Sequence, residues 1–526
     1  MNIDAFTIEI IRNALQAAAE EMSAVVMRSA RSPLLREAGD LSSTLTDAEG
    51  ELVAQGQDVP VHLGVMAYTV KEFLRRVPKP NLAPGDVWLL NLPEVGGNHL
   101  PDVKAIRPIF HQGNIVAFAV QLAHWADIGG TMPGSYYAAA DEIWQEGLRI
   151  PPLRIFAEGR PDREKIDFIL ANVRGPAERE GDLLAQVAAT HVAEKRILEL
   201  IDRTGHDVFL AAVSRLHDLS EARMREAIAA LPDGLYEGED WLDDSGPDDK
   251  PVAVRVRIAV SGEEATFDFS PTDDAVAAPL NTTRFVVGAA VFYCIRSLVA
   301  HDIHANGGCY RPLKIVTRRG SLLDPSGVEP VVGGNHETSQ RAVDAIFRAF
   351  EPALLARLSA GGTTSAGLLI FSGPRADGGW GTFYETHGGG EGARTDRDGM
   401  PVVRVHLTNV MNTPVEVVEA EYGLKVEQQS LRAGSGGAGR HRGGDGMVRD
   451  YRVLVDGMTL TTMFERRVIP PYGLDGGADG APFRVTLLRN GRERELRGKE
   501  NLRLALGDLV RVETPGGGGY GAPSPV

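Results

Sequence analysis

Cysteine is nearly missing from this sequence, since only Cys294 and Cys309 occur among 526 residues. Two isolated thiols cannot build the disulfide framework of a secreted protein, and neither belongs to a Cys-x-x-Cys pair. Long apolar runs are missing too: the longest, residues 285–295, is too short to span a bilayer. The first 15 residues lack a basic segment followed by an apolar run. We therefore expect a cytoplasmic protein with neither a signal peptide nor a membrane span.

Nucleotide-binding motifs are also absent. No Gly-x-x-x-x-Gly-Lys-Ser/Thr loop occurs, and no Gly-x-Gly-x-x-Gly follows a predicted strand and opens a helix. The formal net charge of −16 would repel a polyanion on average. The sequence therefore predicts no ATP site in this chain and no binding to nucleic acid.

The apolar pattern predicts an α+β (mixed α/β) protein of several domains. Apolar residues at three- and four-residue steps predict a helix over residues 4–30, with Asp4 as its N-cap. We expect four regions: a helix plus β-rich part at 1–160, helices at 161–231, mixed α/β at 232–360, and a glycine-rich, mainly β part at 361–526. The glycine runs at 388–390, 434–439, 443–446 and 516–519 are interpreted as turns between strands.

One stretch predicts metal chemistry. His99 and Asp102 lie three residues apart in the loop GGNHLPD, which can turn both side chains toward one point. A hairpin follows, and pairing outward from a turn at Gln112 and Gly113 places His124 opposite Pro101, next to Asp102. Directly opposed residues lie about 5 Å apart. Two imidazoles and a carboxylate suit zinc first, with manganese or iron(II) as alternatives, and three ligands leave a position open for catalysis. The competing interpretation is a chance His-x-x-Asp pair with ordinary core histidines.

Other polar residues near these motifs are candidates for catalysis. Asp127 could accept a hydrogen bond from His124 and so orient that ligand without binding the metal itself, although it could equally cap a turn. Glu385 and Glu391 are candidate general bases, with a structural role as the alternative.

Two residues of the same glycine-rich stretch are candidates for binding substrate. His387 lies between these two glutamates in the sequence, and Arg394 follows Glu391 by three residues. A guanidinium group can bind phosphate or carboxylate through two parallel hydrogen bonds. A tight glycine turn with a structural arginine is the alternative. Asn335, His336 and Glu337 are further candidates to line the same pocket.

Nine stretches resemble segments of the hydantoinase B/oxoprolinase family in the same order, over nearly the whole chain: GGNHLPD, AHWADIGG, MPGS, EIWQEGLRIPP, FILANVR, GGNHETSQR, YETHGGGEGAR, LTNVMNTPVEVVEAEY and TPGGGGYG. The resemblance implies a divalent metal held by His99, Asp102 and His124, with Asp40 of the stretch AGDLSS as a fourth ligand. Many members of the family have a second histidine where this chain has Trp125. That departure either changes the catalytic site or makes Trp125 an apolar wall for the substrate.

The resemblance also implies a function and partners. A separate, larger subunit similar to hydantoinase A would bind ATP and magnesium and phosphorylate the carbonyl oxygen of a small cyclic amide. This chain would then open the ring of a hydantoin, 5-oxoproline or a lactam with a metal-activated water, in an α2β2 heterotetramer. The alternatives are a subunit of an acetone- or acetophenone-type carboxylase and a non-catalytic scaffold for an ATPase partner.

Overall fold

The computed structural model describes residues 3–246, 248–375 and 379–523. Over these ranges the chain is a mixed α/β protein with nine α-helices and four sheets, which confirms the predicted fold class. The proposed boundaries at residues 160, 231 and 360 stay a prediction. In the described part of the chain, no helix combines the length and the apolar character that crossing a membrane requires.

The helices are α1 (Ala5–Ser29), α2 (Pro33–Arg36), α3 (Val65–Arg76), α4 (Arg163–Leu170), α5 (Pro176–Thr204), α6 (His206–Ala229), α7 (Arg284–Val299), α8 (Thr338–Leu354) and α9 (Val415–Glu421). The strands of the first half are β1 (Leu41–Asp47), β2 (Leu52–Gln55), β3 (Val87–Leu90), β4 (Asp102–His111), β5 (Asn114–His124), β6 (Leu153–Ala157), β7 (Arg160–Pro161), β8 (Gly234–Leu242), β9 (Val252–Ser261), β10 (Glu264–Asp268) and β11 (Leu313–Val316). The remaining strands are β12 (Leu368–Pro374), β13 (Trp380–Glu385), β14 (Leu424–Arg432), β15 (Gly446–Val453), β16 (Thr459–Met463), β17 (Arg484–Arg489), β18 (Arg492–Glu495), β19 (Lys499–Arg503) and β20 (Leu509–Glu513).

The first sheet carries the predicted metal motif and is covered on both faces. Its seven antiparallel strands run in the order β2-β1-β5-β4-β3-β6-β7. Helices α1 and α5 pack on one face, where Leu15 and Met22 join a large core. Helix α3 covers the other face, where Phe73 packs among residues of β4 and β5. Helix α1 confirms the predicted first helix, and the Asp4 carboxylate caps it by accepting the Thr7 N–H at 3.0 Å.

The second sheet lies at the centre of the chain, in the order β11-β10-β9-β8. Strands β10 and β11 are parallel, whereas the other pairs are antiparallel. Helix α8 packs against β8 and β9, and α7 packs against α8.

Two antiparallel sheets form most of the C-terminal part. One has the order β13-β12-β16-β19 and the other β14-β15-β20-β17-β18. Aromatic residues from both sheets share one core, in which Phe371 lies 5.1 Å from Tyr451 between ring centroids.

The glycine runs are not the predicted turns, with the exception of Gly434 at φ +83°. Except for Gly446, which begins β15, they lie side by side outside the strands and exchange backbone hydrogen bonds. Gly517 N–H donates to the Gly444 carbonyl at 2.9 Å, and Gly444 N–H donates to the Glu391 carbonyl at 2.9 Å. A Cβ on Gly517 would lie 1.9 Å from the Glu391 oxygen. Glycine is therefore required here by the close approach of neighbouring backbones.

Candidate metal centre

Strands β4 and β5 form the predicted hairpin, but with one extra residue. Phe110 pairs with Ile115, whereas Ile109 pairs with Ala117, so that Val116 has no partner of its own. This β-bulge shifts all later pairs by one position. His124 therefore lies opposite Asp102, and the predicted pairing of His124 with Pro101 is wrong by one residue.

The structure brings the three predicted ligands His99, Asp102 and His124 together. His99 Nε2 lies 3.2 Å from Asp102 Oδ1, and the His99 and His124 rings are 5.1 Å apart between centroids. One ligand atom from each residue lies within 4.8 Å of the other two. All three residues are almost fully buried, so the cluster is closed off from bulk water.

The donor atoms of this cluster lack the partners that buried polar atoms normally have. His99 Nδ1–H donates to the Val332 carbonyl at 2.8 Å, which leaves the Nε2 lone pair directed at Asp102. Among the described residues, both ring nitrogens of His124 and both carboxylate oxygens of Asp102 find no hydrogen-bond partner. A buried polar group without a partner costs about 1–3 kcal/mol. A divalent cation would satisfy these atoms together, and a histidine that donates its other N–H to a carbonyl is typical of metal ligands. The residues therefore fit the predicted ion.

The electrostatics of the cluster favour an ionised Asp102 beside a neutral His124. Burial by itself would raise the pKa of Asp102, but His99 and His62 outweigh it and hold that pKa well below its usual range. Burial and the neighbouring His99 hold the pKa of His124 well below its usual range. His124 is thus neutral and available as a ligand, while Asp102 is ionised.

Asp40 lies in the wall of the same cavity. It directly precedes β1, and its backbone carbonyl accepts the N–H of His124 at 3.1 Å. Burial and the charge of Asp102 raise the pKa of Asp40 to about 6. Its carboxylate lies outside the group of atoms within 4.8 Å of one another, so the resemblance remains the main reason to count it as a ligand.

His62 is a site residue that the sequence did not reveal. Its Nε2 lies 3.3 Å from Asp102 Oδ2, and its Nδ1 lies 2.8 Å from the Ser42 hydroxyl. It belongs to a short 3-10 helix, residues 60–62, in which no second histidine or carboxylate lies at a spacing typical of metal ligands. Only the packing of this helix against the first sheet brings His62 to Asp102.

A set of aromatic and polar groups faces the cluster from the other side. Tyr136 Oη lies 3.2 Å from His336 Nε2 and 3.3 Å from Tyr384 Oη. His336 Nδ1 lies 3.0 Å from Glu337 Oε1, and burial lowers the pKa of His336 to about 3, so the ring is neutral. Asn335 Nδ2 approaches His99 Nε2 at 3.3 Å. Asn335 and His336 therefore line the metal cavity rather than the predicted pocket beside Glu385.

The cavity between these groups measures about 30 Å³. That is close to the volume of one water molecule in the liquid, so the cavity can hold an ion but not a cyclic amide. Leu407, Thr408 and Val410 form part of its lining. We call residues 404–413, which include these three, the roof segment.

Asp127 and Trp125 lie outside the cavity lining in the part of the chain that the structure describes. The Asp127 carboxylate accepts the N–H groups of Gly129 and Gly134 at 2.8 and 2.9 Å and pairs with Arg174 at 3.1 Å. The Trp125 indole N–H donates to Gln186 Oε1 at 3.0 Å within the core of the first sheet. These contacts hold both side chains away from the cavity.

The predicted residues of the glycine-rich stretch also have other partners. Glu391 pairs with Arg394 at 3.0 Å, and Glu385 pairs with Arg449 at 2.9 Å. His387 Nδ1 lies 2.7 Å from the Gly367 carbonyl and its Nε2 lies 2.9 Å from Tyr451 Oη. Within the described ranges, the cavity lining takes Tyr384 and Thr386 from this stretch and leaves these four residues out.

Comparison with known proteins gives matches over nearly the whole chain. The sequence model of the family described as Hydantoinase B/oxoprolinase matches residues 4–523. An uncharacterised protein of Methanocaldococcus jannaschii is 36% identical over 523 residues, which cover 99% of this chain and 91% of that protein. The caprolactamase subunit beta of Pseudomonas jessenii is 31% identical, with 99% and 91% covered. 5-Oxoprolinase 1 of Arabidopsis thaliana is 33% identical, but the match covers 99% of this chain and 42% of the relative. The chain thus spans less than half the length of that oxoprolinase.

Two solved structures share the fold. The crystal structure of an ATP-dependent caprolactamase from Pseudomonas jessenii superposes with a TM-score of 0.92 at 28% identity, covering 99% of this chain and 92% of that one. A nucleotide-free acetone carboxylase superposes with a TM-score of 0.91 at 17% identity, covering 99% and 76%. At that identity the second likeness concerns the fold alone.

Proposed function

This chain belongs to the hydantoinase B/oxoprolinase family, and on that premise we propose that it is the metal-bearing subunit of a heteromeric, ATP-dependent hydrolase of cyclic amides. The observation that carries the proposal is the convergence of His99, Asp102 and His124, together with buried atoms of Asp102 and His124 that have no hydrogen-bond partner among the described residues. The substrate class is a hydantoin, 5-oxoproline or a lactam, in keeping with the names of the relatives.

The ATP-binding part is proposed to lie in a second chain. The sequence contains no P-loop, whereas the related caprolactamase is ATP-dependent and has a subunit named beta. We propose a partner similar to hydantoinase A that binds ATP and magnesium, assembled as α2β2 in the cytoplasm. The oxoprolinase of Arabidopsis thaliana is more than twice as long as the matched region. The remainder of that relative is therefore long enough to contain an ATP-binding part within the same chain.

Phosphorylation explains why ATP is needed for this chemistry. An amide is a poor electrophile because its nitrogen donates electrons to the carbonyl. A phosphoryl group on the carbonyl oxygen withdraws those electrons and provides a leaving group. A first water adds to the carbon, and the ring C–N bond breaks as the nitrogen takes up a proton. The acyl phosphate that remains is hydrolysed by a second water to a carboxylate and inorganic phosphate.

The residues of the cavity have separate roles in this proposal. His99, Asp102 and His124, with Asp40 beside them, would hold a divalent ion. Zinc is the first candidate, and manganese or iron also suits these ligands. The ion would supply Lewis acidity that activates water near neutral pH.

The opposite wall of the cavity would position the reactants. The Val332 carbonyl fixes the His99 tautomer through its hydrogen bond to Nδ1. Tyr136, His336 and Tyr384 present hydroxyl and imidazole groups that can hydrogen-bond the substrate. Asp127, Glu385 and Glu391 are already committed to other hydrogen bonds, and they have no part in this mechanism.

Reconstitution with the ATP-binding partner tests the proposal. The two chains, ATP and a panel of 5-oxoproline, hydantoin and caprolactam would be assayed for ring opening and phosphate release. We expect ATP-dependent ring opening of at least one compound, and its loss when the chain carries His124→Ala. Ring opening that persists with His124→Ala would contradict the role of this site. The carboxylase alternative, which rests on the shared fold, is tested in a parallel assay with acetone, acetophenone and labelled bicarbonate. Incorporation of the label into a ketone, without ring opening of any cyclic amide, would favour it.

A further inference from the structure

Two arginines beside the metal cavity, Arg404 and Arg449, act on the carboxylate of Glu385, and Arg449 pairs with it directly. Arg449 Nη1 donates to Glu385 Oε1 at 2.9 Å, and both side chains are 1% exposed. The second oxygen of Glu385 accepts from the Thr413 N–H at 3.2 Å and the Thr413 hydroxyl at 2.9 Å. Arg449 Nε and Nη2 are buried without a partner among the described residues. Arg449 therefore has unused donors in a region closed to bulk water.

Arg404 connects this pair to the metal cavity. Its Nε donates to the Thr386 hydroxyl at 3.0 Å, and its Nη2 donates to the Thr386 carbonyl at 2.5 Å. Thr386 lines the metal cavity. Burial lowers the pKa of Arg404 and repulsion from Arg449 adds to this effect, whereas Glu385 opposes it. The two guanidinium groups are thus close enough to act on each other and on the same carboxylate.

The balance of charge distinguishes this cluster from another one in the same chain. In the second cluster, the fully buried Arg341 and Arg466 pair with the fully buried Asp240 and Asp344, so that two buried cations face two buried carboxylates. The partly exposed Arg348 adds a longer contact to Asp240 at 4.0 Å. Around Glu385 two cations face one carboxylate. Asp40 is the next carboxylate that acts on Arg404, but it faces the metal cavity. An unbalanced buried cation is costly, and an anion that accepts the free guanidinium N–H groups would remove that cost.

The roof segment begins and ends at this cluster. Arg404 Nη2 also donates to Asn412 Oδ1 at 2.8 Å, and Thr413 is held by Glu385. Residues 407, 408 and 410 between them close the cavity. Because the cavity of about 30 Å³ is too small for a cyclic amide, the roof segment has to move before substrate enters. An oxyanion that takes Arg404 away from Asn412 would loosen one end of the roof.

We propose that Arg404 and Arg449 form an oxyanion subsite that receives the phosphoryl group of the activated substrate beside the metal cavity. This inference rests on the proposed function, because the phosphoryl group is the one that the ATP-binding partner attaches. A guanidinium pair matches the several oxygens of a phosphoryl group better than lysine would, since its donors are planar and fixed. After hydrolysis, the same group would leave this subsite as inorganic phosphate.

Binding of inorganic phosphate to the full-length chain tests the subsite. Calorimetric titration would compare the native chain with Arg404→Gln, Arg449→Lys and a control, Arg452→Gln. Arg452 lies on the same strand as Arg449 but is only half-buried and pairs with Glu427. We expect saturable phosphate binding by the native chain and Arg452→Gln, and at least tenfold weaker binding by the other two variants. No binding to the native chain, or equal binding by all four chains, would overturn the proposal.

Two further arms keep the outcome interpretable. Acetate replaces phosphate in a parallel titration, and arginine-dependent acetate binding of equal affinity would assign the subsite to a substrate carboxylate instead, which overturns the phosphoryl assignment. Circular dichroism checks that each variant is folded. If Arg449→Lys does not fold, Arg404→Gln decides the outcome, because its side chain is only partly buried. Metal content is measured on the same samples, so loss of the metal centre and loss of the oxyanion subsite are scored separately.

Discussion

Asp102 and His124 face each other directly across the β4–β5 hairpin. Directly opposed residues of a sheet point to the same face, and a slip of one residue sends a side chain to the other face. The bulge at Val116 sets this register. Without it His124 would pair with Pro101 and point away from Asp102. The metal site therefore depends on one extra residue near the far end of the hairpin.

Trp125 is expected to stabilise the core rather than to bind substrate. Its indole donates to Gln186, whose side-chain amide donates to the carbonyls of Val103 and Gln121 at 2.9 and 3.1 Å. In Trp125→Phe the buried Gln186 oxygen loses its donor, so the free energy of unfolding should fall by about 2–3 kcal/mol. Urea denaturation measures this change. The exposed Trp144 is the control, since Trp144→Phe should change stability by less than about 0.5 kcal/mol. A Trp125→Phe chain of native stability with a raised KM would show that Trp125 contacts the substrate.

Metal affinity is expected to rise with pH through about pH 6 and to keep rising until His99 has also lost its proton. Burial raises the pKa of Asp40 to about 6, so below that pH an incoming ion has to displace a proton from Asp40. Burial by itself would lower the pKa of His99, but Asp102 outweighs it and raises that pKa, so His99 adds a second proton to displace. Asp102 is ionised throughout and adds no pH dependence in this range. Zinc titrations between about pH 5 and pH 8 should show a steep rise that levels off as both groups lose their protons. Asp40→Asn should make the rise less steep, whereas an unchanged slope would exclude Asp40 from the site.

The glycine-rich core should tolerate no side chain at its closest contacts. A Cβ at Gly517 would lie 1.9 Å from the Glu391 carbonyl, so Gly517→Ala should lower the free energy of unfolding by more than about 3 kcal/mol or prevent folding. Gly234 is a control, because its Cβ would meet no atom closer than 3.4 Å. Thermal melting of the two variants makes the comparison. Similar melting temperatures for both variants would show that the backbones of residues 517 and 391 are not in close contact.

Arg394 is expected to have little influence on catalysis. It pairs with Glu391 three residues earlier, and its side chain is 42% exposed. Exposed ion pairs contribute about 0–1 kcal/mol. Arg394→Ala should therefore change stability by less than about 1 kcal/mol and leave KM within twofold of the native value. Steady-state kinetics with the reconstituted enzyme checks this, and a tenfold rise in KM would restore Arg394 as a substrate-binding residue.

Local sequence predicted the parts of the site that adjoin one another in the chain. The loop and the hairpin bring His99, Asp102 and His124 together through contacts within about 25 residues, so the sequence predicted that these residues are neighbours. It did not predict the bulge at Val116, which turns His124 to the same face as Asp102. His62, Tyr136, Tyr384 and the roof segment reach the same cavity from four other parts of the chain. Their approach depends on how sheets and helices pack, which no local spacing encodes. The glycine runs were misinterpreted for a similar reason, because close packing of distant backbones requires glycine as strongly as a turn does.

Elemental analysis of the purified chain tests the central claim most directly. The native chain would be compared with His99→Ala, His124→Ala and the control His111→Ala, which lies at the other end of the same hairpin beside His206. We predict about one divalent ion per chain in the native protein and in His111→Ala. Loss of one ligand should weaken binding at least about a hundredfold, so both other variants should lack the ion while remaining folded. A native chain that holds no ion after incubation with zinc, manganese or iron(II), or variants that keep it, would contradict the assignment of a metal centre to His99, Asp102 and His124.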